Sequence, residues 1–342
     1  MTCYKCRATL PQSANVCPAC GQAVYTRHTG PTLSMGRRID GGLPSEPSPK
    51  DYVATPNLPS LPRKVDLRAH CSPVEDQGQI GSCIPCAVVG ALEYQYRKAG
   101  QPTVDLSRLF VYFNARRMRG TADTDSGVSV PQGLAAFMAF GAPPESDWPY
   151  SPELLTKVPG QAVYDAARAH VPGEYARVNG ADHIRGALAQ QFPVPFLFQV
   201  PERCYAEAGR TGVMPVPTAT EADAASRESG HAMLLVGYDL DAGTYIVRNS
   251  WGADWGDQGY CRIPFDAFER GVHPSSTWIL GRLDATQAFT VDRPAHAAAP
   301  AAASGSVAEM AGRMREEIRS SLTKDIQDSM KNIRDRVRGD RR

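Results

Sequence analysis

The chain has 342 residues, of which 42% are hydrophobic, and a formal net charge of +1. This length accommodates one large domain with appendages or two modest domains, and the balanced charge gives no general attraction to nucleic acid or to an anionic membrane. No apolar run approaches the roughly 20 residues of a membrane span, and the first residues lack the charged start and apolar core of a secretory signal. We therefore expect a cytoplasmic protein with no transmembrane segment, with signal-less export as the alternative.

Two Cys-x2-Cys pairs lie at the start of the chain, formed by Cys3, Cys6, Cys17 and Cys20. Two such pairs place four thiolates at the corners of a tetrahedron, the geometry of structural Zn²⁺, with two disulfides as the alternative. A unit this small needs the metal in order to fold. Residues 1–22 therefore resemble a zinc ribbon, and the few basic residues near it favour a protein-docking or regulatory role over nucleic-acid binding.

Residues 23–62 and 291–306 differ in composition from the rest of the chain. The first segment is rich in Gly, Pro and Ser and the second in Ala and Pro, which predicts two extended linkers. Residues 63–290, between them, have the denser hydrophobic pattern of one globular domain.

Along this domain the pattern changes from helical to strand-like. Helices are predicted at 82–99, 107–118 and 131–140, and strands at 194–199, 231–238, 244–249 and 259–263. Gly100 and Pro102 end the first helix. Helices first and strands second predict an α+β domain with two segregated halves.

Cys83 follows a glycine turn and stands where the first predicted helix begins. The positive end of the helix dipole lowers the pKa of a thiol in this position and favours the reactive thiolate. Gln77, six residues upstream, carries a side-chain amide that can donate to an oxyanion. We interpret Cys83 as a nucleophile, the alternative being an inert buried thiol.

His231 begins one predicted strand and Asn249 ends the next. If Tyr238 opposes Thr244 across the turn, Met233 opposes Asn249, and His231 lies on the same face one diagonal step away. An Asn amide in that place accepts a hydrogen bond from the imidazole and fixes its tautomer. The pattern predicts His231 as the base and Asn249 as the residue that orients it.

Four motifs together carry a family resemblance. They are Gln77-Gly78-x-x-Gly81-Ser82-Cys83, Gly230-His231-Ala232, Asn249-Ser250-Trp251-Gly252 and Trp255-Gly256-x-x-Gly259-Tyr260. In this order they resemble the papain (cathepsin) family of cysteine proteases over about residues 63–285. The resemblance implies a two-lobed fold, with a helical half, a β-barrel-like half and a cleft between them. It also implies hydrolysis of polypeptide substrates through a Cys-His-Asn acyl-enzyme mechanism that uses no catalytic cofactor.

The resemblance assigns further roles. Gln77 and the Cys83 backbone N–H would form the oxyanion hole, and Trp251 would shield the His–Asn contact. Gly127 and Val128 resemble the strip that pairs with the substrate backbone. Leu197 and Ala232 would line a substrate pocket.

The chain departs from secreted family members in its cysteines. Those members usually have one cysteine where Ile80 stands and a partner for it near residues 125–128, and both are absent here. The remaining cysteines are therefore expected to be free thiols, namely Cys71, Cys86, Cys204 and Cys261. No long helical inhibitory segment is recognisable, so we hypothesise that the chain at about 40–62 lies along or near the cleft and restrains activity.

Apolar residues recur every three or four positions through 307–338, with a polar face of mixed charge. This predicts an amphipathic helix that docks to a partner protein or self-associates rather than an anchor on an anionic membrane. Two other functions stay open at this point. One is a catalytically silent papain-like scaffold or binding module, and the other is a transpeptidase or ligase that uses the same site.

Overall fold

The computed structural model describes residues 38–293, apart from 103, 227–228, 274–275 and 282–287, together with the isolated residues 312 and 316. The four cysteines of the predicted zinc ribbon and nearly all of the predicted helix at 307–338 lie outside the described residues. Within the described part, no helix is both long and apolar enough to cross a membrane.

The predicted helices are present, and shorter ones follow them. The described helices are α1 (Cys83–Lys98), α2 (Arg108–Met118), α3 (Val130–Phe140), α4 (Gln161–Ala167), α5 (Ala181–Ala189), α6 (Glu202–Thr211), α7 (Ala219–Ala225) and α8 (Phe265–Gly271). Ser107 and Ser129 start α2 and α3 by accepting a hydrogen bond from a backbone N–H of the first turn.

The strands form two sheets. They are β1 (Val53–Pro56), β2 (Lys64–Asp66), β3 (Glu174–Arg177), β4 (Val194–Phe198), β5 (His231–Asp239), β6 (Thr244–Arg248), β7 (Tyr260–Pro264), β8 (Trp278–Gly281) and β9 (Phe289–Asp292). One sheet has the order β8-β3-β1-β9, and the other has the order β2-β5-β6-β7 with β4 paired to β5. The long strand β5 pairs with β4 through its first residues and with β2 through its last.

α1 lies between the two halves of the domain. It packs against α2 and α3 of the helical half and against β4, β5 and β8 of the strand half. Its residues from Cys83 to Tyr94 are all buried, which is the pattern of an internal helix rather than a surface one. The start of α1 is therefore held at the boundary between the halves, and the fold is the predicted α+β arrangement.

Part of the predicted linker at 23–62 belongs to the folded domain instead. β1 pairs along its whole length with β9 and touches β3, and Ala54 is fully buried. Its partner strand also extends past the predicted domain end at residue 290. Because prolines surround this four-residue strand, its composition resembles that of a linker. The folded domain begins N-terminal to the predicted boundary between residues 62 and 63.

The turn between β5 and β6 is tighter than predicted. Tyr238 pairs with Tyr245 and Asp239 with Thr244. A bulge between Leu235 and Gly237 then shifts the register by one, so that Leu234 opposes Arg248. The tighter turn shifts the strand register by one residue, and the bulge shifts it back by one. Beyond the bulge, Asn249 therefore lies at the position predicted from the sequence.

Candidate active site

Cys83 is the first residue of α1 and is fully buried. It follows the turn around Gly81, whose backbone N–H donates to the carboxylate of Asp125. The nucleophile predicted from sequence is thus at a helix N-terminus, as expected. The Cys83 thiol faces the first residues of β5, because the backbone N–H of Ala232 forms a hydrogen bond with it.

His231 and Asn249 are brought together as predicted. The imidazole Nε2 lies 2.7 Å from Asn249 Oδ1, which also accepts a hydrogen bond from the backbone N–H of Ser250. An amide oxygen only accepts, so Nε2 carries the proton. His231 Nδ1 is buried and has no hydrogen-bond partner among the described residues. This nitrogen is left available to take a proton.

Aromatic rings enclose the imidazole. The Trp251 ring stacks on His231 with centroids 4.3 Å apart, which is the predicted shield. Tyr205, from α6, meets the same imidazole edge-on at 5.7 Å, and Trp255 packs edge-on against Trp251 at 5.4 Å. Sequence reasoning missed Tyr205, because a single tyrosine in a short helix carries no pattern that points to the site.

Gln77 is also fixed in place. Its side-chain Nε2 donates to the Ile80 carbonyl at 3.0 Å, and its Oε1 accepts from Ser250 Oγ at 2.6 Å. Its backbone N–H donates to the Ser250 carbonyl. The amide is therefore oriented by both the turn before α1 and the loop that follows Asn249.

Burial changes the charge state expected for the nucleophile. It raises the pKa of the Cys83 thiol to about 12 and lowers the pKa of His231 to about 4, although the hydrogen bond to Asn249 acts the other way on the imidazole. Loss of water opposes each charged form. The helix dipole was expected from the sequence to favour the thiolate, whereas burial acts in the opposite direction and favours the neutral thiol and the neutral imidazole.

The predicted substrate strip is occupied by the chain's own residues 38–43, which we call the cleft segment. Val128 donates its N–H to the Gly41 carbonyl at 3.0 Å and accepts from Leu43 N–H at 2.9 Å. Gly42 exchanges two backbone hydrogen bonds with Gly230, the residue before His231. The segment runs parallel to the chain at Val128 and antiparallel to the chain at Gly230.

Glycine is required where the cleft segment is closest to the cleft walls. A Cβ on Gly41 would lie 2.6 Å from the Gly81 carbonyl oxygen, and one on Gly42 would lie 2.3 Å from Leu197 Cδ1. Leu197 pairs with Ala232 across β4 and β5, so both predicted pocket residues are together at this wall. A Cβ on the predicted strip residue Gly127 would lie 2.6 Å from the Gly41 carbonyl oxygen.

An ion-pair cluster holds the end of the cleft segment. The Arg38 guanidinium lies 2.5 Å from a carboxylate oxygen of Asp40 and 2.5 Å from one of Asp125. Asp125 also accepts from the Tyr112 hydroxyl and from Gly81 N–H. Because the side chains of Arg38 and Asp40 are only 13% and 6% exposed, this contact is shielded far better than a surface ion pair.

The family model described as "Papain family cysteine protease" matches residues 61–274. The chain belongs to the papain family of cysteine proteases. The recognition made from the sequence motifs and the papain-like fold that it implied are both confirmed.

Relatives and solved structures agree with this membership. An "uncharacterized peptidase C1-like protein" of Acanthamoeba polyphaga mimivirus is 31% identical over 216 residues, covering 60% of this chain and 68% of the relative. The oryzain gamma chain of Oryza sativa subsp. japonica is 30% identical over 223 residues, covering 60% of this chain and 55% of the relative. The chain thus spans between about half and two thirds of the length of these papain-family proteins.

Among solved structures, xylellain, a cysteine protease from Xylella fastidiosa, superposes with a TM-score of 0.61 at 30% identity. The match covers 71% of this chain and 95% of xylellain. The Carica candamarcensis cysteine protease in complex with E-64 gives a TM-score of 0.51 at 23% identity, covering 65% of this chain and 99% of that protein. The second likeness supports the papain-like fold alone.

Proposed function

We propose that the chain hydrolyses peptide bonds of polypeptide substrates through an acyl-enzyme intermediate at Cys83. The observation that carries this is the buried imidazole of His231, whose Nε2 is held 2.7 Å from Asn249 Oδ1 while Nδ1 has no partner among the described residues. The Cys83 thiol, at a helix start, interacts with the backbone N–H of Ala232, the residue after His231, and an imidazole fixed in this tautomer is the kind of base that activates a thiol nucleophile.

In the first half-reaction His231 Nδ1 takes the thiol proton, and Cys83 Sγ attacks the scissile carbonyl carbon. The oxygen becomes an oxyanion that accepts from Cys83 N–H and Gln77 Nε2. When the tetrahedral intermediate collapses, the C–N bond breaks and His231 gives its proton to the leaving amine. In the second half-reaction His231 deprotonates a water that attacks the thioester, which releases the acid and restores the thiol.

Two alternatives use the same residues. A ligase would accept an amine in place of water, and a silent scaffold would perform neither reaction. The hydrogen bond between His231 and Asn249 and the fixed Gln77 amide favour catalysis over a scaffold. Hydrolysis is the form that the family membership supports.

We also propose that the cleft segment restrains this activity. Its backbone uses the N–H and C=O of Val128 and Gly230, the groups that a bound peptide would need, so substrate and segment compete directly. This agrees in part with the sequence hypothesis for the chain at about 40–62: of those residues, 40–43 belong to the cleft segment, which within the described part of the chain also includes residues 38 and 39.

For the termini we propose the roles that their sequences favour. Residues 1–22 would hold one structural Zn²⁺ through Cys3, Cys6, Cys17 and Cys20 and dock a protein, with no part in catalysis. Residues 307–338 would form a partner-binding helix, and the protein would act in the cytoplasm. Zinc content of the purified full chain tests the first role: we expect about one zinc per chain, and a chain without zinc that keeps a folded N-terminus would contradict it.

The test of the proposed activity compares Cys83→Ala with Cys261→Ala on a peptide substrate. Both residues are buried cysteines, so both variants lose a similar side-chain volume. We expect Cys83→Ala to abolish hydrolysis while Cys261→Ala retains it. Equal activity in Cys83→Ala and wild type would contradict the proposed function.

A further inference from the structure

The hydroxyl of Tyr150 connects the two chain segments that carry the proposed oxyanion-hole donors. It lies 2.9 Å from the backbone carbonyl of Gln77 and 2.5 Å from Ser82 Oγ. A carbonyl oxygen only accepts and a phenol has one proton, so Tyr150 donates to Gln77 and accepts from Ser82. One segment carries the Gln77 amide, and the other continues into the N–H of Cys83.

Ser82, at the start of α1, does not act as an ordinary helix cap. Serine before a helix usually accepts a hydrogen bond from an N–H of the first turn. The Ser82 side chain, at the N-cap of α1, makes no such bond, and it is fully buried. Its hydroxyl, immediately before the nucleophile, donates to Tyr150, and its oxygen also lies 3.9 Å from Cys86 Sγ.

The Tyr150 bond also holds the backbone of the turn that carries Gln77. The Gln77 carbonyl accepts from Ile80 N–H at 3.1 Å within the turn, and Tyr150 adds a second bond from outside it. Ser250 holds the side-chain oxygen of Gln77. Tyr150 therefore holds the carbonyl of the donor residue, while Ser250 holds its backbone N–H and its side-chain oxygen.

Tyr150 is itself anchored. Its backbone N–H donates to the Glu145 carboxylate, and the Arg108 guanidinium carbon lies 5.2 Å from the centroid of its ring. Arg108 is paired with Glu75 at 2.6 Å. The hydroxyl therefore has a defined position from which to hold both neighbours.

We propose that Tyr150 is a positioning residue that sets the separation between the Gln77 amide and the Cys83 N–H, and so the fit of the oxyanion hole to the tetrahedral intermediate. The inference rests on the proposed protease activity. It predicts that removal of the Tyr150 hydroxyl weakens reactions that form an oxyanion at Cys83. Reactions in which Cys83 acts only as a nucleophile should be unaffected.

The test uses full-chain Tyr150→Phe and two reagents that react at Cys83. A peptide aldehyde forms an Sγ–C bond and places its oxygen in the oxyanion hole, whereas iodoacetamide alkylates Sγ with loss of iodide and forms no oxyanion. We expect the aldehyde dissociation constant to rise about tenfold and kcat to fall about tenfold, since a displaced donor costs less than the ~100- to 1,000-fold of a deleted one. KM and the alkylation rate should change by no more than about twofold.

Tyr238→Phe is the matched control, because it also removes one tyrosine hydroxyl and one hydrogen bond, to the Pro62 carbonyl. Tyr238 lies seven residues along β5 from His231, about 23 Å away at the rise of a strand, and its variant should behave as wild type. Ser82→Ala provides a second route, and it should weaken aldehyde binding in the same direction even if Tyr150→Phe fails to fold.

Aldehyde affinity in Tyr150→Phe equal to that in Tyr238→Phe would overturn the inference, as would parallel slowing of alkylation. Absence of Cys83 alkylation in Gly41→Ala, in which a Cβ clashes with Gly81 and displaces the cleft segment, would instead contradict the proposed function itself. The two failures are therefore distinguishable.

Discussion

Asn249 orients the imidazole through a single hydrogen bond and does not itself react in the proposed mechanism. Asn249→Ala should loosen the ring of His231 while leaving both reacting groups in place. We expect kcat to fall by about 10- to 100-fold, less than the loss of the whole acid–base function, which is worth ~100- to 10,000-fold. Steady-state kinetics of Asn249→Ala, compared with those of Cys83→Ala, measure the difference in kcat.

Asn114→Ala is the control for this prediction, because Asn114, in α2, is also buried and accepts from the hydroxyl of Tyr164, in α4, at 2.8 Å. It should lose stability but not the chemical step. If Asn249→Ala were as inactive as Cys83→Ala, Asn249 would have to do more than orient the imidazole.

The depressed pKa of His231 predicts a specific dependence of stability on pH. The group titrates near 6.5 when unfolded and about 4 in the fold, so between these values the unfolded chain binds more protons. Its contribution is present above pH 6.5 and is lost as the pH falls toward 4. At pH 5 the loss is about 2 kcal/mol. Urea unfolding of wild type and His231→Gln at pH 7 and pH 5 should show a steeper fall for wild type, and parallel falls would contradict the prediction.

The proposed catalytic residues could be identified from the sequence because each stands in a local motif. Cys83, His231, Asn249 and Gln77 have distinctive neighbours, and their chemistry limits the roles they can take. Tyr150 was not predictable in the same way. Its importance comes from where its hydroxyl lies relative to residues 68 and 73 positions earlier in the chain, and no local pattern records that.

Gly41 provides the sharpest test of the cleft segment as an element. A Cβ at this position would meet backbone atoms of Gly81, which cannot move aside as a side chain can. Gly41→Ala should therefore displace the segment and raise kcat/KM for a small peptide substrate. Gly160→Ala is the control, since a Cβ there meets nothing within 4 Å.

Arg38→Ala should act in the same direction through a different contact. It removes the ion pairs with Asp40 and Asp125 but leaves the glycines unchanged. Unchanged kcat/KM in both Gly41→Ala and Arg38→Ala would mean that the segment does not restrain the enzyme.

Elements with strong hydrophobic periodicity could be predicted from the sequence, whereas elements that depend on partners distant in the chain could not. α1, α2 and α3 begin and end within two residues of the predictions. β1 was missed because its four residues gain their stability from β9, more than 200 positions later in the chain. The bulge in β5 between Leu235 and Gly237 was also missed, and so was the close approach of Gly237 to β2, where a Cβ would lie 2.3 Å from the Val65 carbonyl oxygen.

Across the whole molecule, the described cysteines form no disulfide. Cys71, Cys83, Cys86, Cys204 and Cys261 are all buried free thiols. Burial raises the pKa of each of these thiols, and the four other than Cys83, which have no base assigned to them, are therefore expected to stay protonated and poorly reactive. The stability of the domain therefore comes from its core, as the missing cysteines near Ile80 and residues 125–128 suggested.

This arrangement predicts that a phosphine reductant will not lower the melting temperature of the full chain. A structural disulfide typically contributes ~2–4 kcal/mol, so its reduction would lower the Tm of a domain this size by about 4 °C or more. We expect no such shift, and mass spectrometry of the non-reduced protein should find Cys71, Cys86, Cys204 and Cys261 as free thiols. Activity should be preserved or raised by the reductant, because Cys83 must stay reduced to act as a nucleophile and the four proposed zinc thiolates must stay reduced to hold the metal. A native disulfide among those four cysteines, with a clear fall in Tm on its reduction, would contradict the proposal that the protein works in a reducing compartment.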